Sequence, residues 1–303
     1  MIYTLTLNPS VDYIMELDQF TKGGLNRSAK ENALPGGKGI NVSRVLHVLD
    51  VKSTALGFAG GFTGEFIKQF LKDEQIEAEF VEVDEISRIN VKVKAEDETE
   101  INGNGPSITK EQLNRLLSRI STLSKDDTLV LAGSIPASVA ESFYQEAASL
   151  CGKREARIVI DAEKKLIAPV LSLKPFLIKP NHHELGEMFG VEINSVEDAV
   201  FYGKKLKEKG PENVIVSMAE KGALLLSGKD VYQASVPDGE LKSSVGAGDS
   251  TVAGFLAGLS KGYSMEDSFR LGTAAGSATA FSIGLCDANK VNDLYKQIEI
   301  SKR

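Results

Sequence analysis

The chain has 303 residues, 35 basic and 42 acidic side chains for a formal net charge of −7, and 42% hydrophobic content. That balance supports a sizeable core and argues against a surface built to condense on nucleic acid or an anionic membrane, while leaving room for a small basic pocket. Two cysteines, Cys151 and Cys286, without CxxC spacing exclude a disulfide framework, and no apolar run approaches the roughly 20 residues of a membrane span, so a cytoplasmic protein is expected.

In chain order, short aliphatic and β-branched runs predict buried strands over residues 2–7, 54–58, 128–132, 156–160, 176–178 and 213–217. Helical patterns lie between and after them, over 40–49, 64–72, 110–121, 138–150, 184–189, 195–209 and 250–259. This alternation predicts an α/β fold with a largely parallel sheet covered by helices on both faces. Residues 11–34 and 79–101 break the rhythm by alternating polar and apolar residues, with Ile89, Val91, Val93 and Ala95 on one face and Asn90, Lys92 and Lys94 on the other. They predict a small antiparallel sheet projecting from the core, placed to cover a site or meet another subunit. Residues 299–303 are expected to fray.

Two of the glycine clusters run into helices. Ser244-Val245-Gly246-Ala247-Gly248-Asp249-Ser250-Thr251 precedes the apolar stretch 252–259. The first N–H groups of a helix lack internal partners and its dipole favours anions, so small side chains there admit phosphoryl oxygens against the backbone. Asp249 beside an anion is awkward unless it takes a proton from an attacking hydroxyl, as a general base does; the plain alternative is a helix cap. The second cluster, Pro35-Gly36-Gly37-Lys38-Gly39-Ile40-Asn41, has neither the GxxxxGK[ST] nor the GxGxxG spacing. Gly37, Lys38 and Asn41 suit close approach of a polyhydroxy ligand, or simply start a helix.

Lys179-Pro180-Asn181-His182-His183-Glu184 follows a predicted strand. Asn181 and Glu184 have the spacing of a capping box; at a sheet's carboxyl edge they could equally hold Mg²⁺ through water while Lys179 faces nucleotide phosphate. Adjacent helical histidines point about 100° apart, and with no third ligand near in sequence zinc is not expected. Arg88, in Ser87-Arg88-Ile89-Asn90, and Arg27 could each grip a phosphate with two parallel bonds or be ordinary surface groups. Asp12, just after the first strand, could accept sugar hydroxyls or cap a turn. His47 reads as a structural helix residue and Cys286 as a small buried hydrophobe.

Taken together, Leu7-Asn8-Pro9-Ser10-Val11-Asp12, the Pro35 to Asn41 turn, the Lys179 to Glu184 segment and Ser244 to Ser250 resemble the ribokinase-like sugar kinases of the PfkB family over essentially the whole chain. GAGD with an upstream GGKGxN is specific; either fragment alone is weaker. The opening segment, the SRIN segment and the GAGD region look most like the branch of 1-phosphofructokinases and tagatose-6-phosphate kinases. Many members carry an acidic residue and threonine where this chain has Ser243-Ser244-Val245, which argues against a ribokinase or adenosine kinase and leaves Asp249 untouched.

The resemblance implies a three-layer α/β/α sandwich, a single core over residues 1–303 with a small β-sheet lid from inserted segments 11–34 and 79–101, through which a homodimer could form. It implies Asp249 as catalytic base, Gly246, Ala247 and Gly248 as the anion hole, and Asp12, Gly37, Lys38 and Asn41 as sugar contacts. Arg88, with Arg27 as a weaker second contact, would bind the sugar phosphate. Lys179 and Ser217 would contact the nucleotide, and Asn181 and Glu184 the Mg²⁺. The implied reaction is in-line transfer of the ATP γ-phosphate to fructose 1-phosphate, with tagatose 6-phosphate or fructose 6-phosphate as alternative substrates. A non-catalytic sugar-phosphate-binding regulator is the rival of a different class, whereas a dehydrogenase would need a dinucleotide fingerprint that is missing.

Overall fold

A computed structural model describes residues 1–303. Its strands are β1 (Ile2–Thr6), β2 (Ser10–Glu16), β3 (Lys30–Gly36), β4 (Ser53–Ala59), β5 (Glu77–Glu82), β6 (Arg88–Lys94), β7 (Glu98–Asn102), β8 (Thr128–Ala132), β9 (Arg157–Asp161), β10 (Leu177–Ile178), β11 (Asn213–Ser217), β12 (Ala223–Ser227), β13 (Asp230–Ala234) and β14 (Ile300–Lys302). Its helices are α1 (Lys38–Val48), α2 (Gly61–Asp73), α3 (Lys110–Ile120), α4 (Phe143–Gly152), α5 (Lys164–Ile167), α6 (His182–Phe189), α7 (Val196–Glu208), α8 (Ala247–Ser260), α9 (Met265–Ala280) and α10 (Ala288–Tyr295).

Ten strands form one sheet in the order β14-β13-β12-β11-β10-β9-β8-β1-β4-β5. Pairs from β5 to β11 are parallel, and those from β11 to β14 antiparallel. The central strands read as unbroken apolar runs because both of their faces are buried. Leu129 and Leu131 of β8 join one core cluster with Leu116, Tyr144, Leu185 and Leu206 from α3, α4, α6 and α7. Val130, between them, joins the other with Leu46, Phe255, Phe269 and Val291 from α1, α8, α9 and α10. A sandwich of helix, sheet and helix layers results, as expected.

The second sheet, β3-β2-β6-β7, differs from expectation in two respects. It is mixed, because β2 and β6 run parallel in the same register that brings Asp12 opposite Asn90, while β2–β3 and β6–β7 are antiparallel. Its second half also begins at Arg88, since residues 77–82 form β5 and pair with β4 at the edge of the main sheet. Alternation marks one exposed face, and an edge strand has one just as a lid strand does. The C-terminus does not fray: Ile300, Ser301 and Lys302 pair with β13.

Strands β12 and β13 and helices α9 and α10 were not expected. Helix α9 packs on α8 through small residues: a Cβ at Gly254 would meet Leu271 O and Ala275, and one at Gly258 would meet Ser268. Gly, Ala, Ser and Thr on the contact face remove the large-apolar stripe that normally marks an amphipathic helix. No helix is long and apolar enough to cross a membrane. Phe255 is fully buried at this contact, so Phe255→Ala is expected to lower unfolding free energy by about 3–5 kcal/mol, read from the urea midpoint by circular dichroism.

Candidate active site

The parallel strands end on a common edge, where a cleft of about 900 Å³ opens beneath the lid. Chain direction supplies its walls. β9 ends on Asp161, β10 leads into Lys179, β11 ends on Ser217, and the N-termini of α1 and α8 point into the opening. Asp12, Gly37, Lys38, Asn41, Arg88, Lys179, Asn181, Glu184, Ser217, Gly246, Ala247, Gly248 and Asp249 all line this one cleft. Arg27 does not: it is exposed in the segment joining β2 to β3, outside the cleft lining.

The turn before α8 resolves one of the open alternatives. Gly246 is the helix N-cap at φ 79°, a left-handed conformation that favours glycine, and no side chain caps this helix. Asp249 therefore is not a cap. Its Oδ2 instead accepts a hydrogen bond from Asn41 Nδ2 at 2.8 Å. Ala247 N–H donates to Ser244 O at 3.3 Å, whereas the amides of Gly246, Gly248 and Asp249 have no hydrogen-bond partner within the protein. Free amides at a helix start can receive an anion, and the amides left free here are those of Gly246, Gly248 and Asp249.

Behind this turn lies a buried charge group that sequence reading did not find. Asp161 is 2% exposed; its Oδ1 pairs with Lys38 Nζ at 3.1 Å and its Oδ2 with Lys179 Nζ at 3.6 Å. Lys179 reaches so close under the turn that a Cβ at Gly248 would sit 2.9 Å from its Nζ. Burial opposes the Asp161 charge, but Lys179 and Lys38 hold its carboxyl below the usual carboxylate range. Asp161 in turn pushes the Lys38 ammonium pKa up. Burial first, and the negative Asp161 second, push Asp249 up to about 6, against the opposing pull of Lys38, the Asn41 hydrogen bond and Lys179. The available signal was positional: Asp161 ends an apolar strand at the same sheet edge as Lys179 and Ser217.

On the lid side, Asp12 Oδ1 accepts from Ser10 Oγ at 2.7 Å and Asn90 Nδ2 at 3.0 Å. Arg88 is aimed by two backbone carbonyls, its Nε donating to Asn8 O at 3.1 Å and Nη1 to Gly103 O at 3.4 Å. Asn8 and Asn90 join the lining, and each leaves a buried side-chain oxygen without a partner. Neither was singled out in the sequence, although both sit within segments that were.

Asn181 and Glu184 make the reciprocal capping box their spacing predicts, with Asn181 Oδ1 accepting from Glu184 N–H and Glu184 Oε2 from Asn181 N–H, both at 2.8 Å. A carboxylate has two oxygens, so Glu184 can cap and still present Oε1, which has no protein hydrogen bond, to the cleft. Asn181 Oδ1 accepts one bond and keeps a second lone pair. No group of three or more His, Cys, Asp or Glu side chains is gathered to enclose an ion alone. The donor set therefore fits Mg²⁺ held largely by water and nucleotide phosphate, with Asn181 and Glu184 as the available protein contacts.

Unpartnered amides at a helix start, next to a buried carboxylate and beneath a polar-faced lid, are features that suit phosphoryl transfer to a sugar hydroxyl. The class is that of the ATP-dependent sugar kinases. A family model described as pfkB family carbohydrate kinase matches residues 5–292, and the chain belongs to that family. It is similar to a 1-phosphofructokinase of Bacillus subtilis (strain 168), 55% identical and covering 100% of both chains. It is also similar to a D-tagatose-1-phosphate kinase of Bacillus licheniformis, 36% identical over 99% of each. Among solved structures, phosphofructokinase-2 from Escherichia coli in complex with substrates and products superposes with a TM-score of 0.92 at 29% identity, over 97% of this chain and 98% of that one.

The charge arrangement makes a prediction independent of any reaction. The Asp249 carboxyl carbon, followed by NMR, is expected to titrate near pH 6, protonated below and ionised above. Asp161→Asn removes a negative neighbour and frees two lysines, so the midpoint should move to lower pH. An unmoved or higher midpoint would contradict the coupling.

Proposed function

We propose that the chain transfers the γ-phosphate of ATP to fructose 1-phosphate, giving fructose 1,6-bisphosphate. The observation that carries this reading is the full-length similarity to the Bacillus subtilis 1-phosphofructokinase. The cleft supports it by placing Arg88 and Asp249 along one cavity. Arg88 would grip the phosphate already on the sugar, with Asp12, Gly37, Lys38 and Asn41 contacting hydroxyls between. Asp249 would accept the proton of the attacking primary hydroxyl as its oxygen bonds to phosphorus and ADP departs with the electrons of the broken bond.

The free amides of the α8 turn would receive charge on the transferring phosphoryl oxygens, and Lys179 would stand beneath them. Ser217, bridged to Asn181 by backbone pairing, would face the nucleotide. Mg²⁺, contacted by Asn181 and Glu184, would neutralise phosphate charge. Positioning and electrostatics supply the catalysis, with no covalent enzyme intermediate. Both cysteines are free and buried, which accords with a reducing, cytoplasmic setting.

The lid also supports a homodimer. Ile89 and Ile101 lie on the face of β6 and β7 opposite to Arg88 and Asn90 and are 36% and 62% exposed, and Leu25, in the segment joining β2 to β3, is 80% exposed. Ile101→Asp is expected to convert a dimer to monomer in sedimentation velocity; a monomeric wild type, or a dimeric variant, would overturn the assignment.

A coupled ADP-release assay against fructose 1-phosphate, fructose 6-phosphate, the tagatose 1- and 6-phosphates and free fructose tests the substrate. The highest kcat/KM is expected for fructose 1-phosphate, and a clear preference for another sugar would overturn that part. With the preferred sugar, Asp249→Asn should fold normally and lose kcat by a factor of about 10² to 10⁴; near-normal turnover would remove Asp249 from the base role.

A further inference from the structure

One buried charge beneath the lid has no part in the reaction as described. Lys92, on β6, is 9% exposed. An ammonium taken out of water is costly unless it is compensated, and its compensation comes from the strands on either side. Asp12 Oδ2 of β2 lies 3.5 Å from its Nζ, and Glu100 Oε1 of β7 lies 3.7 Å away. Lys92 makes no hydrogen bond shorter than these contacts and is not among the residues lining the cleft. It therefore acts on the cleft through Asp12.

Asp12 is held in a way that divides its two oxygens. Oδ1 is saturated by Ser10 Oγ and Asn90 Nδ2. It is also wedged against the backbone of β3, since a Cβ at Gly36 would overlap Oδ1. Oδ2 has only the Lys92 ammonium, beyond ordinary hydrogen-bond length, and so retains lone pairs for a ligand hydroxyl. We propose that Lys92 is a positioning residue for sugar binding, fixing the orientation of Asp12 Oδ2 as an acceptor for the hydroxyls of the phosphosugar.

Glu100 shares the ammonium and keeps it between the strands instead of free to swing toward the substrate phosphate. Without the cation, the Asp12 carboxylate would be free to turn about the wedged Oδ1, and its charge would face a second carboxylate with nothing between them. This inference rests on the reading of Asp12 as a sugar contact, but not on which ketohexose phosphate is the substrate.

The test is steady-state kinetics of the full chain with whichever phosphosugar the panel selects, so a wrong sugar fails the functional reading and leaves this result legible. Lys92→Met is expected to raise the phosphosugar KM by about tenfold or more, the loss of a charge-assisted contact, with kcat and the ATP KM within about twofold, because uniform binding is what is lost. Lys92→Gln, which keeps a polar group but not the charge, carries the same expectation and keeps the test decisive should the methionine variant not fold. Lys92→Arg should recover most of the affinity, and Glu100→Gln should shift the KM far less than Lys92→Met. A sugar KM unchanged in folded Lys92→Met or Lys92→Gln would overturn the proposal. So would a parallel loss in kcat and ATP affinity, the mark of a loosened lid, or an equal effect from Glu100→Gln.

Discussion

The cleft depends on a carboxylate that faces little solvent. Asp161 ties Lys38, at the start of α1, to Lys179, after β10, through two ion pairs at the edge of the sheet. Burying Asp161 and Lys179 is tolerable because each has a partner, and the pairing to the half-exposed Lys38 joins the proposed sugar side to the proposed nucleotide side. With Asp249, the group holds two lysines and two aspartates and is neutral when all are ionised. Once Asp249 takes a proton, the group becomes net positive beside the free amides of α8. On the proposed mechanism, the proton transfer that would create the nucleophile would also create positive charge beside the phosphoryl group it attacks.

The apolar face of the lid is divided: Val11 packs into a core cluster with Ile67 and Leu71, while Ile89 and Ile101 on the same face are left uncovered. In a sheet laid on a core the apolar face turns inward; here Arg88, Asn90 and Lys92 turn toward the cleft side and Ile89 and Ile101 turn away. A polyhydroxy anion demands that arrangement, because each polar group it meets must already be held by the protein. Asn8 O and Gly103 O hold Arg88, while Ser10 and Asn90 hold Asp12. The uncovered isoleucines are the consequence, and they supply the apolar surface through which a second subunit would bind.

Much of this was legible in the sequence wherever a single segment carried the cause. The strands at β1, β4, β8, β9 and β11 announce themselves because burial on both faces requires unbroken apolar runs. The GAGD turn, the GGKG turn and the Asn181–Glu184 box are local chemistry and appear where expected. Helix α9 was hidden because it meets α8 through small residues, and β5 was assigned to the lid because an edge strand alternates as a lid strand does. Asp161 was hidden for a different reason. Alone after an apolar run it is an ordinary turn residue, and its meaning comes from Lys38, 123 positions away. Arg27 shows the converse: a residue type suited to phosphate, on a segment that the fold leaves outside the cleft.

The net charge of −7 and an anionic substrate are reconciled by the same geometry. Charge on the outer surface is screened beyond a Debye length of roughly 8 Å at physiological salt, whereas buried or partly buried charge is screened much less. Arg88, Lys38 and Lys179 line the cleft with unpaired backbone amides, beside the carboxylates of Asp12, Asp161, Glu163, Glu184 and Asp249, of which Asp161 pairs with both lysines. The acidic exterior therefore need not repel a phosphosugar at contact distance, and it discourages polyanions too broad to enter. Selectivity for a small anion over a large one follows from where the few cations lie, not from how many the chain contains.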